Sequence, residues 1–184
     1  MSFLSNILGG KKEENKKLII QDANSYLDKI KATKSIPVIN SNLMLDKGES
    51  AFWEEPSKMY ETRTVRKSSG GYAGVRLMKG LSVGGYSGSS EGTQEWREID
   101  QGRLTLTNKR IVFDGNKENR IIQINKIIGV NVFLGSVRIS GVGKTKDTEF
   151  STKNPYILGA LINLVNKTEN PLDLSGVNID IQFQ

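Results

Sequence analysis

The chain has 184 residues, 36% of them apolar and 25% charged, with a net charge of +6, enough for one domain with a closed core or one domain plus an appendage. It contains no cysteine and no histidine. That excludes a disulfide framework, a thiol nucleophile, a thiolate or His-ligated metal site and any Ser-His-Asp triad.

The N-terminus, Met1-Ser-Phe-Leu-Ser5, lacks the basic n-region of a secretory signal. The most apolar stretch, Pro155 to Val165, is interrupted by Gly159 and falls far short of the ~20 residues that a membrane span needs. These features predict a cytoplasmic protein. The basic residues are spread along the chain without a run like those of nucleic-acid-binding tails, so no nucleic-acid partner is expected.

Residues 12–34 predict an amphipathic helix. Leu18, Ile19, Ala23, Tyr26, Leu27 and Ile30 recur every three or four residues, and Pro37 marks its end. Ahead of it Phe3, Leu4, Ile7 and Leu8 stand beside Lys11 and Lys12, a patch suited to contact a membrane surface or to dock on the chain's own core.

From Lys58 onward the period becomes two. Val75, Leu77, Leu81 and Val83 share one parity inside a Gly/Ser-rich stretch, which reads as a twisted hairpin. Arg63, Arg66, Lys67, Arg76 and Lys79 flank that turn and form a candidate anion-binding rim, with a solvated strand face as the plainer account.

A turn at Asn108-Lys109 pairs Leu106 with Ile111, Leu104 with Phe113, Thr105 with Val112, and Arg103 with Asp114 as a cross-strand charge pair. A second hairpin is expected at Gly135-Ser136, opposing Leu134 to Val137 and Val132 to Ile139. Ile122 and Ile124 supply a strand between the two hairpins, and Thr148 to Ser151 one after them. Asn154 and Pro155 then open a helix with one broad apolar face. Val177, Ile179, Ile181 and Phe183 alternate with polar residues and predict a final strand that must find a sheet edge, in its own chain or a neighbour's.

Gly141-Val-Gly-Lys-Thr145 superficially suggests a phosphate loop. It lacks the glycine four residues before the Gly-Lys-Thr, and a strand is expected after it where the motif requires a helix, so no nucleotide is expected. Glu54, Glu55, Glu91, Glu95, Glu98 and Asp100 are candidates for paired-carboxylate chemistry, but their spacing shows no cleft and they read as solvated strand edges. No cofactor or metal is implied, and the chain is expected not to be an enzyme.

Gly102-Arg-Leu-Thr-Leu-Thr-Asn-Lys-Arg-Ile-Val-Phe113 resembles the signature hairpin of the GRAM and bacterial PH-like domains, Gly-x-Leu-x-(Leu/Val)-Thr-Asn-x-Arg-(hydrophobic)-x-Phe. The likeness extends over about residues 43–166 if Leu45-x-x-Gly48-Glu49 is its opening. It implies a mainly β fold with some helix: a PH-like antiparallel β-barrel of about seven strands with a capping C-terminal helix. This chain adds an N-terminal helix and an extra C-terminal strand. The corresponding organisation is 1–42 helical extension, 43–167 barrel, and 168–184 strand extension. An unrelated antiparallel sheet with helices on one face is the alternative.

The resemblance also implies a binding module without catalysis, acting on protein segments or lipid headgroups. Phosphoinositide-binding members carry Lys-x(n)-(Lys/Arg)-x-Arg in the first hairpin, whereas this chain has Arg63-Thr-Val-Arg-Lys67, so that ligand is not carried over. A protein partner or self-association is expected first. The alternative is a peripheral adaptor on an anionic membrane surface.

Overall fold

The computed structural model describes the backbone of residues 3–78, 81–143, 147–181 and 183, and the side chains of those within 13–63 and 94–183. The chain forms helix α1 (Phe3–Thr33), strands β1 (Ala51–Met78), β2 (Leu81–Thr107), β3 (Arg110–Gly115), β4 (Arg120–Gln123), β5 (Ile127–Phe133), β6 (Ser136–Gly141) and β7 (Thr148–Ser151), and helix α2 (Pro155–Lys167). The strands make one seven-stranded sheet in the order β4-β3-β2-β1-β7-β6-β5, and each of the described pairings is antiparallel.

The β2–β3 hairpin has the expected register, with Arg103 opposite Asp114, Leu104 opposite Phe113, Thr105 opposite Val112 and Leu106 opposite Ile111. Leu104, Leu106, Ile111 and Phe113 are buried on the inner face, and the Phe113 ring lies 5.7 Å from that of Phe150 on β7. α2 begins as its residues require. The Asn154 side chain accepts the Ile157 N–H at 3.1 Å, and Pro155 occupies the first turn, where no N–H is needed. Its apolar face packs on β5, β6 and the turn before β5. α1 contributes Ala23, Leu27 and Ile30 to the same core and ends at Lys34, whose φ is +51°. The strands β6 and β7 flank the Gly141–Thr145 stretch and pair antiparallel, so a strand follows that loop where a phosphate loop requires a helix.

Several expectations change. The sheet does not close into a barrel: its terminal strands, β4 and β5, are not neighbours. Ile124, expected in the strand, leaves the ladder for a single 3-10 turn, Ile124–Lys126, so β4 stops at Gln123 and the chain passes to β5 through that turn.

The extra C-terminal strand is not a strand. Residues 177–181 run extended outside the sheet, and Val177, Ile179, Ile181 and Phe183 pack against the core. Asn24 of α1 bonds Phe183 twice, accepting its N–H and donating to its C=O, each at 3.3 Å, and Tyr156 of α2 meets the Phe183 ring edge-on at 5.0 Å. Alternation reports a half-buried extended segment but not what covers it, and here helices do.

The second hairpin turns at Leu134-Gly135, with Phe133 opposite Ser136 and Val132 opposite Val137. Gly135 has φ +96°, so the glycine takes the second turn position, as in a type II turn. Pairs shift by two residues, so the faces keep their predicted sides, with Val137 and Ile139 buried.

The first helix starts earlier than predicted, at Phe3, so Phe3, Leu4, Ile7 and Leu8 belong to α1 itself. Finally, Glu55 and Asp100 are buried and hydrogen-bonded, not solvated edge residues. Trp53 Nε1–H donates to Glu55 at 3.0 Å, and Asp100 accepts the N–H groups of Lys117 and Glu118.

By its contacts the chain divides into two compact units. One comprises the residues up to Glu61 with those from Glu98 onward, and the other is Thr62–Arg97. No described helix is long and apolar enough to cross a membrane.

Candidate functional site

The hairpin that carries the family resemblance is the corner of the first unit. Thr107 accepts the N–H groups of Lys109 and Arg110 at 3.1 and 3.0 Å, closing the turn, and its hydroxyl donates to Glu49 at 2.7 Å. Asn108 reaches back to the loop before β1, accepting the Ser50 N–H at 2.9 Å and donating to the Gly48 carbonyl at 3.0 Å. Lys109 donates to the Lys47 carbonyl at 2.8 Å. Arg110 grips Glu49 with two nitrogens, each at 3.0 Å.

The Glu49 side chain is fully buried, and that of Arg110 is 19% exposed. Burial pushes the Glu49 carboxyl up. The Asp46 N–H, the Arg110 guanidinium and the Thr107 hydroxyl outweigh that and hold it below its usual value. Thr107, Asn108, Lys109 and Arg110 therefore clamp the loop 46–50 onto the sheet. Gly102, the first residue of the motif, has a packing cause: a Cβ there would stand 2.1 Å from the Asp114 carbonyl oxygen.

The carboxylates considered for catalysis are held in similar frames. Glu54 takes Ser41, Arg103 at 3.0 Å and Thr105 at 3.3 Å. Burial pushes it up, and those bonds together with the Arg103 charge bring it below its usual value. It is thus kept as the anion and is unsuited to giving up a proton at neutral pH. Arg103 faces Asp114 across the ladder as expected, but its guanidinium goes to Glu54 instead. Glu98 pairs with Lys58 at 2.9 Å and Glu95 with Arg97 at 3.5 Å. Glu91 lies outside the described side chains.

On the outer face of β2, β3 and β4 an open groove of about 520 Å³ runs past Met44, Glu54, Arg103, Val112, Asp114 and Ile121. Met44 is 89% exposed and Ile121 54%. The groove was not legible in the sequence, because the loop 42–44 that forms one wall carries no periodic signal.

The predicted rim falls in the second unit. Arg63 is exposed on β1. Arg66, Lys67 and Arg76 lie farther along the same strand, their side chains outside those described, and Lys79 lies outside the described residues. The backbone therefore places Arg63, Arg66, Lys67 and Arg76 on one arm of one hairpin. Phe3, Leu4, Ile7 and Leu8 lie in the first turns of α1, their side chains likewise outside those described. Among the described residues no cluster of three acidic side chains could hold a metal ion.

Compared with protein-family models, with curated proteins and with solved structures, the chain finds no match.

Proposed function

We propose that this chain is a non-catalytic binding module of PH-like fold that acts by engaging a protein partner. Seven antiparallel strands followed by a C-terminal helix across one face, with the Thr107–Arg110 corner at the heart of the framework, support the PH-like reading. The observation that carries the function is the division of the chain. In the first unit Glu49, Glu54 and Asp100 are held by that unit's own groups. The second, Thr62–Arg97, is a separate unit built from the far parts of β1 and β2, with Arg63, Arg66, Lys67 and Arg76 along one arm.

The test is affinity purification from the protein's own cells, comparing the full chain with a variant in which residues 62–97 are replaced by an Asn-Gly turn. Proteins retained by the full chain and lost from the variant are the expected result. Identical sets overturn the reading.

A second reading, a peripheral adaptor on anionic membranes, is favoured by the start of α1 at Phe3. One continuous helix places Phe3, Leu4, Ile7 and Leu8 on one face, next to Lys11 and Lys12. Co-sedimentation with anionic vesicles that weakens with salt and on deleting residues 1–10 supports it, and binding to no vesicle at low salt removes it.

A further inference from the structure

Beyond the framework β1 and β2 continue from Thr62 to Met78 and from Leu81 to Arg97. In the sheet the outer neighbour of β1 is β7, and that of β2 is β3. β7 faces β1 only at Met59–Glu61, and β3 faces β2 only at Gly102–Leu106. Among the described residues no strand of the sheet therefore flanks the ribbon on either side. Each free edge is a row of N–H and C=O groups 17 residues long, a template for another strand.

A two-stranded ribbon in water is marginal, and a third strand is the usual minimum for stability. This one is poorer than most in the cross-strand side-chain pairs that stabilise a ladder, because eight of its 36 residues are glycine and six are serine. The same glycines let a neighbouring backbone come close. Charge then selects the neighbour. Residues 62–97 hold six basic and two acidic side chains, so this fifth of the chain carries +4 of the total +6. A second copy's ribbon would be repelled, whereas an acidic strand is attracted. Basic residues fall on both parities of the β1 arm in the sequence, with Arg66 and Arg76 on one and Lys67 on the other.

We propose that the ribbon Thr62–Arg97 is a docking edge for an extended, acidic segment of a partner protein, which adds to it as a third strand. This rests on the protein-interaction reading above and names the chemistry of the partner: an alternating, carboxylate-rich segment without proline.

Backbone amide exchange of the full chain tests it, with a soluble peptide of alternating valine and glutamate as the probe. A second peptide of the same charge carries an N-methyl group on every residue. Slowed exchange within 62–97 is expected with the first. Affinity should fall by about tenfold or more for the N-methylated peptide, because the N–H groups on whichever edge of the added strand faces the ribbon are blocked. Equal binding of the two peptides means attraction by charge alone and overturns the proposal. So does unchanged exchange at millimolar peptide, or protection given only by anionic vesicles or single-stranded DNA. If the affinity-purified partner set depends on the ribbon but N-methylation does not weaken the peptide, the protein-interaction reading survives and strand addition falls.

Discussion

Glu49 and Arg110 show how much one buried pair does here. The carboxylate accepts four hydrogen bonds, one each from Asp46 and Thr107 and two from Arg110, and its side chain has no exposure, so removing its charge leaves Arg110 with the largely exposed Asp46, 3.9 Å away, as its counter-ion. Glu49→Gln should lower the unfolding free energy by about 3 kcal/mol, read as a shift of the urea midpoint at unchanged slope. Arg110→Lys should recover part of this at most, since an ammonium cannot reproduce the two-nitrogen grip. Asp100 supplies the pH dependence. The N–H groups of Glu118 and Lys117 hold its carboxyl below the usual value, more than burial raises it. A depressed folded value means that this stabilisation is fully present above the ordinary carboxylate range and is lost as pH falls through the folded value. An acid titration of stability should therefore be shallower below that range in Asp100→Asn than in the parent. An unchanged profile would show that other carboxylates dominate. None of these roles was legible in advance. The motif residues were visible as a pattern, but the loop 46–50 that they hold is more than fifty residues away in sequence.

At the scale of elements, two features separate what local pattern specifies from what it does not. The α2 start was fully visible, because a cap acts within four residues. Asn154→Ala should cost about 1 kcal/mol by thermal or chemical unfolding. The tail 177–183 was visible only as extended and half-buried. Its placement on α1 and α2 instead of a sheet edge predicts fast amide exchange at 178–181 against strong protection in β3, where ladder bonds are complete. Strand-like protection in the tail would restore the sheet-edge reading. Truncation after Gly176 should still destabilise, because Tyr156 and Asn24 lose the Phe183 contacts. The second hairpin makes a related point. Gly135 announced a turn, but either turn position suited it, and the structure places it second, with Phe133 opposite Ser136.

For the molecule as a whole, the two units predict separable behaviour. Replacing residues 62–97 by a two-residue turn should leave the framework folded, with the near-ultraviolet signal of its aromatic core retained and its unfolding still cooperative. Collapse of that cooperativity would mean that the ribbon belongs to the framework. Sequence by itself determined the mainly β class of the fold, the β2–β3 register, the existence of both helices and the buried faces of the β2–β3 hairpin and of β6. All of these follow from periodicities and caps that act over a few residues. Whether the sheet closed, what covered the tail, which carboxylate Arg103 chose and where a groove opened were decided only in three dimensions. Each depends on segments far apart in the chain meeting, and no local spacing records such a meeting.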